Sequence, residues 1–214
     1  MNGSAKVSTR SAIVDPGRHV SVRLIPLFFV SGAAALTYQL CWQRLLFATF
    51  GVDIESVTIV VSVFMLGLGL GALVGGQLAD RFPGKALALF ALSEFGIGVF
   101  GWFSPDLIRL AGDAFVESPH WLVAAVNFFL LLIPTSLMGA TLPILVSHLS
   151  RLWKNIGRSI GLLYEVNTLG AAVGAMTIGF VWFLFFDLDA AVRSAAVANI
   201  SISVLTLLWI RRDV

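Results

Sequence analysis

The stretch VTIVVSVFMLGLGLGALVGGQLADRFPGK, Val57 to Lys85, decides the fold. Its first part is apolar for long enough to cross a bilayer, because about 20 residues at about 1.5 Å rise span a hydrocarbon core of about 30 Å. Within it Gly67, Gly71 and Gly75 recur every fourth residue, which strips one helix face of side chains and lets a second helix approach its backbone. The apolar run then stops at Gln77-Leu78-Ala79-Asp80-Arg81, and Pro83-Gly84 turns the chain.

The rest of the chain repeats the theme. Of its 214 residues 58% are hydrophobic and 12% charged, with a mean hydropathy of +0.93. That is about half the charge of a soluble domain, which carries roughly 25%. The expectation is an all-α, polytopic membrane bundle of six transmembrane helices, over residues 24–47, 57–78, 86–103, 121–145, 160–185 and 190–210. Domain organisation follows: a polar N-terminal tail, 1–22, and a six-helix transmembrane domain, 23–214. A membrane strand would alternate polar with apolar residues over about 10 positions, and none of these stretches does. The first stretch also has the small-residue end of a signal peptide at LIPLFFVSGAAA, but its apolar run continues to Phe50, the length of a full span.

Lysine and arginine in the connections set the orientation. Eleven of the 14 fall on one side: Lys6, Arg10, Arg18, Arg23, Arg81, Lys85, Arg151, Lys154, Arg158, Arg211 and Arg212. Only Arg44, Arg109 and Arg193 fall on the other, among acidic connections. Both termini are therefore expected in the cytoplasm of a bacterial-type inner (plasma) membrane. Trp102, Trp121 and Trp182 would stand at the outer interface, Trp153 and Trp209 at the inner one. The basic residues lie between apolar runs and form no patch, so no nucleic-acid partner is expected.

A three-plus-three repetition is faint: Phe28-Phe29 against Phe128-Phe129, and Gly67/Gly71/Gly75 against Gly170/Gly174/Gly179. Repeats of this kind build transporter halves, and small-residue faces also serve packing in any membrane bundle. Gly67, Gly71, Gly75, Gly170 and Gly174 are the expected helix-packing positions.

Ionisable groups inside a span cost at least about 2.5 kcal/mol on insertion scales, so Glu94 and Glu165 ask for a reason. Both lie some eight residues into their spans from the same side, about 12 Å deep by helix rise. Two readings stay open. In one they line a polar cavity, open to the cytoplasm, that binds a cation (a cationic amine included) or relays protons, with Asn167, Thr141, Tyr38 and Gln39 as further candidate substrate-binding residues and Tyr164 beside Glu165. In the other, neighbouring backbone and polar side chains satisfy each of them separately. Tyr38, Gln39, Gln43 and Arg44 form a second polar strip on the first span, with Arg44 either reaching the interface or pairing with Asp53. Gly96-Ile97-Gly98-Val99-Phe100-Gly101 matches the dinucleotide fingerprint GxGxxG, but it lies within a span and lacks the strand–turn–helix setting that motif needs. No cofactor is expected. His19, His120 and His148 lack metal-ligand spacing, the single Cys41 forms no intramolecular disulfide, and no catalytic constellation assembles.

Two resemblances add to this reading. Gly76-Gln77-Leu78-Ala79-Asp80-Arg81 followed by Gly84-Lys85 resembles the G-x-L-A-D-R-x-G-R/K loop of the major facilitator superfamily, with one extra residue before Gly84. The resemblance implies a gating role for Asp80, Arg81 and Lys85. Over nearly the whole chain, SGAAALTYQLCWQRLL (31–46), GLGLGALVGGQLADR (67–81), LSEFGIGVFG (92–101), PTSLMGATLP (134–143) and GRSIGLLYEVNTLGAAVGA (157–175) resemble the membrane domain of spermidine synthase-like fusion proteins. That family has Tyr-Glu where this chain has Tyr38-Gln39, which removes one intramembrane carboxylate. Its members continue into a Rossmann-type aminopropyltransferase domain, a pattern that these 214 residues do not contain. The resemblance implies a membrane protein that binds or translocates a small, polyamine-like solute with a second copy or a partner subunit. The alternative is an anchor that docks a soluble aminopropyltransferase-like enzyme.

Overall fold

The computed structural model describes residues 16–50, 53–115 and 117–212, and all six long elements are α-helices. They are α1 (Pro16–Phe50), α2 (Asp53–Arg81), α3 (Ala86–Ala114), α4 (His120–Trp153), α5 (Ile156–Met176) and α6 (Leu188–Arg212). No sheet occurs among the described residues, and six helices are long and apolar enough to cross a membrane.

The helices outrun the expected spans. α1 begins at Pro16, inside the stretch expected to be a polar tail; positions 1–15 of that tail lie outside the described residues. α3 continues past Phe103 through Asp106 and Arg109, which were expected in a connection. The reason is an ion-pair set: Arg109 meets both carboxylate oxygens of Asp189 on α6, at 2.9 and 2.5 Å, and Arg193 lies 3.6 Å from Asp106. Charges that neutralise one another extend a helix beyond its apolar core at little cost. A double-mutant cycle of Arg109→Ala with Asp189→Ala is expected to give a coupling of about 0.5–1 kcal/mol that weakens with salt, because the pair is partly exposed. Unfolding midpoints in detergent at low and high salt measure it.

α5 departs from expectation in the other direction. Its α-helical part ends at Met176 and passes through a π-helical segment, Thr177–Val181, and a 3-10 turn, Trp182–Leu184. α4 runs unbroken through Pro134 and Pro143. Asn155 caps α5 by accepting from the Arg158 amide at 3.0 Å, and Asp187 accepts from the Ala190 amide at 2.7 Å at the start of α6.

The helices pair across the two halves of the sequence. α2 lies along α4 and α5 along α1, each pair parallel, while α3 packs against α6. Glycines make this contact backbone to backbone. A Cβ at Gly71 would strike the Ser136 carbonyl, and one at Gly75 would strike Ala140. On the other pair, Gly170 faces the Phe29 carbonyl and Gly174 faces Ala33. Gly139 against Leu68 is matched by Gly32 against Asn167. Positions 29, 32 and 33 on α1 thus correspond to 136, 139 and 140 on α4, and 68, 71 and 75 on α2 to 167, 170 and 174 on α5, at one constant offset per helix. The two crossings are copies of one another.

The sequence marks the glycine faces of spans two and five as packing positions without naming their mates, and a second copy is one candidate to meet them. They are filled from within the chain instead. What α2 and α5 leave outside is leucine- and methionine-rich: Met65, Leu73, Leu169 and Met176, with Phe180 following on the π-helical segment. The second and fifth spans are the least buried of the six, so α2 and α5 form the flanks. The core between them has two clusters. One gathers around Tyr38, Trp42, Phe64, Ile97 and Leu131, and the other around Phe28, Phe90, Ile144 and Leu149.

Candidate functional site

Glu94 lies in the middle of the bundle on α3 and is fully buried. Ser31 on α1 donates to its Oε1 at 2.6 Å, and Asn199 Nδ2 on α6 donates to its Oε2 at 2.6 Å. Tyr38, also fully buried, donates its hydroxyl to Asn199 Oδ1 at 3.2 Å. Three helices are therefore joined through one carboxyl group. Local sequence makes room for this: Gly101 on α3 lies against the Tyr38 ring, and Gly98 lies against Ala196 and Ile200, so α1 and α6 approach α3 closely. The six-residue fingerprint GIGVFG thus lies within α3, with its glycines turned to helix contact.

Glu94 meets no lysine, arginine or histidine among the described residues. A carboxyl group taken out of water without a counter-ion holds either a proton or a cation. Next to it is a cavity of about 230 Å³ to which all six helices contribute. Ser31 and Asn199 line it and connect it to Glu94. Thr141 and Asn167 line it too, as does Tyr164. Thr141 turns its hydroxyl back to the Met138 carbonyl at 2.7 Å. Gly139 contributes from the turn before Pro143, whose missing N–H leaves the Gly139 carbonyl without its helical partner. The wall is mostly apolar, with Phe28, Leu68, Ile97 and Met138 among its residues, and the oxygen acceptors set into it are suited to an ammonium group on an apolar chain.

The other expected residues are placed differently. Glu165 is exposed on α5, is not part of the cavity wall and makes no hydrogen bond or ion pair among the described residues, so the structure does not join it to Glu94. Gln39 is half-buried on α1, away from the cavity wall. Arg44 lies over the Phe183 ring, 4.1 Å from its centroid. Asp53, its alternative partner, has no described side chain. Asp80, Arg81 and Lys85 are exposed where α2 ends. Arg81 and Lys85 both sit 5.8 Å from the Phe82 ring, and Arg151 on α4 donates to the Ala79 carbonyl at 3.3 Å, which ties this turn to α4. Sequence reasoning missed Ser31 and Asn199. For Asn199 a signal existed: with Ser203 and Thr206 it makes a buried polar stripe at helical spacing in an otherwise apolar span.

Known proteins resemble this chain over most of its length. Polyamine aminopropyltransferase 2 of Streptomyces coelicolor is 28% identical over 194 residues, 86% of this chain and 34% of that protein. Polyamine aminopropyltransferase of Mycobacterium tuberculosis is 31% identical over 202 residues, 90% of this chain and 36% of that protein. The protein of the same name from Oceanobacillus iheyensis is 23% identical over 164 residues, 77% of this chain and 31% of that protein. No protein-family model and no solved structure matches the chain. The chain is thus similar to proteins named polyamine aminopropyltransferase, and it spans about a third of their length.

Proposed function

We propose that this chain is an integral membrane protein whose central cavity binds a small cationic amine of the polyamine class, with Glu94 supplying the opposing charge. One observation carries the reading: a fully buried carboxyl without a counter-ion, hydrogen-bonded to two side chains that line a cavity between all six helices. The names of the similar proteins supply the substrate class. Ser31, Asn199, Thr141, Asn167 and Tyr164 offer the amine its acceptors, and Tyr38 holds Asn199 in place. The cytoplasmic placement of both termini and the inner-membrane location rest on the distribution of Lys and Arg. The crossed helix pairs favour a likeness to one half of a major facilitator-type transporter, with Asp80, Arg81 and Lys85 as its gating turn and a second copy or partner against the leucine-rich flanks of α2 and α5.

Titration of spermidine into the detergent-solubilised chain tests this. The ammonium group binds the carboxylate, and protons compete for the same oxygens. Affinity is therefore expected to fall about tenfold for each pH unit below the midpoint of the group that binds it. Affinity independent of pH, or no binding between pH 5 and 9, overturns the reading.

A second reading is favoured by the coverage. The similar proteins named aminopropyltransferase extend over about three times the matched length, which suits a membrane anchor for such an enzyme. The basic segment RLWKNIGR, 151–158, would be its docking face. Co-purification of an aminopropyltransferase in equal amount, without amine binding by the chain, would select it.

A further inference from the structure

A second cavity, of about 210 Å³, lies in the groove between α1, α5 and α6. It has no link to Glu94. Its wall is almost wholly apolar, with Ala34, Ile178 and Ala198 at its floor and sides, and Val30 and Val173 exposed at its rim. A cavity of about 150 Å³ already holds a benzene-sized guest, so this one admits a stretch of hydrocarbon. Two of its hydroxyls are already used by their own helices: Thr37 donates to the Ala33 carbonyl at 2.9 Å and Ser194 to the Ala191 carbonyl at 2.8 Å.

Three features at one end of the groove ask for a particular occupant. First, Trp182 lines the cavity, and its indole Nε1 is buried with no acceptor among the described residues. A buried donor without a partner costs about 1–3 kcal/mol. Second, the helix is irregular there, passing from π to 3-10 between Thr177 and Leu184, and single π turns inside helices recur at binding sites. Third, Arg44 stands about 10 Å beyond Thr37 along α1, by helix rise. Its guanidinium rests on Phe183, next to Trp182 in the chain. Asp189 and Asp106 neutralise Arg109 and Arg193 at this end of the bundle, whereas Arg44 forms no ion pair among the described residues.

We propose that this groove binds one anionic phospholipid, with an acyl chain along the groove, an ester carbonyl on the Trp182 indole N–H and the phosphate at Arg44. The polarity runs the right way for a bilayer: hydrocarbon toward the middle of α1 and α5, the Trp182 donor in the 3-10 turn past α5, and the Arg44 guanidinium on the neighbouring Phe183. The proposal rests on the membrane reading and is independent of the amine cavity.

The test offers the detergent-purified chain phosphatidylglycerol or phosphatidylcholine with identical acyl chains and counts retained lipid by native mass spectrometry. The wild type is expected to keep one phosphatidylglycerol in preference to phosphatidylcholine. Arg44→Gln is expected to lower phosphatidylglycerol retention about fivefold and erase the preference. Trp182→Phe is expected to lower retention of both lipids about fivefold. Ala198→Leu fills the groove and is expected to remove both. Arg44 is exposed, so its variant leaves the fold intact and stays decisive even where Ala198→Leu fails to fold. Phosphatidylglycerol brominated on its acyl chain is expected to quench wild-type tryptophan emission more than that of Trp182→Phe. Equal retention of the two lipids by wild type, or a preference that survives Arg44→Gln, overturns the proposal. A chain that stays soluble without detergent would remove the membrane reading itself, a different result from embedded protein that keeps no lipid.

Discussion

Gly71→Val is expected to cost more than about 3 kcal/mol of stability, at or beyond the upper end of core overpacking. The added carbons meet the Ser136 carbonyl and the Ala140 amide, which are backbone and have no rotamer to give. α2 must then withdraw from α4 along the whole seam that Gly67, Gly71 and Gly75 share with Thr135, Ser136 and Ala140. Against a total stability of about 5–15 kcal/mol, such a loss is a large fraction. Gly170→Val is expected to do equal damage on the opposite flank, where the Phe29 carbonyl occupies the equivalent place. Gly69→Val is the control: it stands on the same helix with nothing within 4 Å and is expected to be near neutral. Unfolding in detergent by heat or by sodium dodecyl sulfate orders the three. Gly71→Val behaving like Gly69→Val would show that the glycine seam does not close the bundle.

Glu94→Gln is expected to leave the chain folded and to weaken amine binding at least about 100-fold. The fold survives because the replacement has the same shape and a workable set of hydrogen bonds. The new amide oxygen accepts from Asn199 Nδ2, and its NH2 donates to Ser31 Oγ once that hydroxyl rotates away. What disappears is the charge. Removing one member of a buried ion pair costs about 3–5 kcal/mol, or more than two decades in affinity. Glu165→Gln is the comparison, since that side chain is exposed and outside the cavity wall; its affinity should stay within about twofold, as for surface substitutions away from a site. Calorimetric titration with spermidine separates the cases, and equal loss in both variants would point to nonspecific attraction between amine and protein.

Glu165 also shows how far the sequence could be read. At about 100° per residue, Leu163, Asn167, Gly170 and Gly174 fall within a narrow stripe of α5, and Glu165 points roughly 140–180° away from each of them. The glycines that mark the buried face therefore already mark Glu165 as outside it. Depth along the helix, which Glu94 and Glu165 share, is a weaker guide than phase around it. The six apolar stretches were legible because hydrophobic length is a strong signal. The reach of α3 through Asp106 and Arg109 was not, because it depends on Asp189 and Arg193 on a helix far along the chain. Partner choice was hidden for the same reason. Nothing local tells Gly71 that its neighbour is Ser136, or Glu94 that its donors come from Ser31 and Asn199.

The crossed pairs have a consequence for biogenesis. As the ribosome delivers the helices one by one, α1 and α2 enter the bilayer with their bare backbone faces unmatched, since the mates of those faces are α5 and α4. α2 waits for α4, and α1 waits longest, for α5. A nascent chain stalled after α3 would expose both seams at once to quality-control proteases, and two fragments divided in the α3–α4 connection should each be short-lived until they meet in the same membrane.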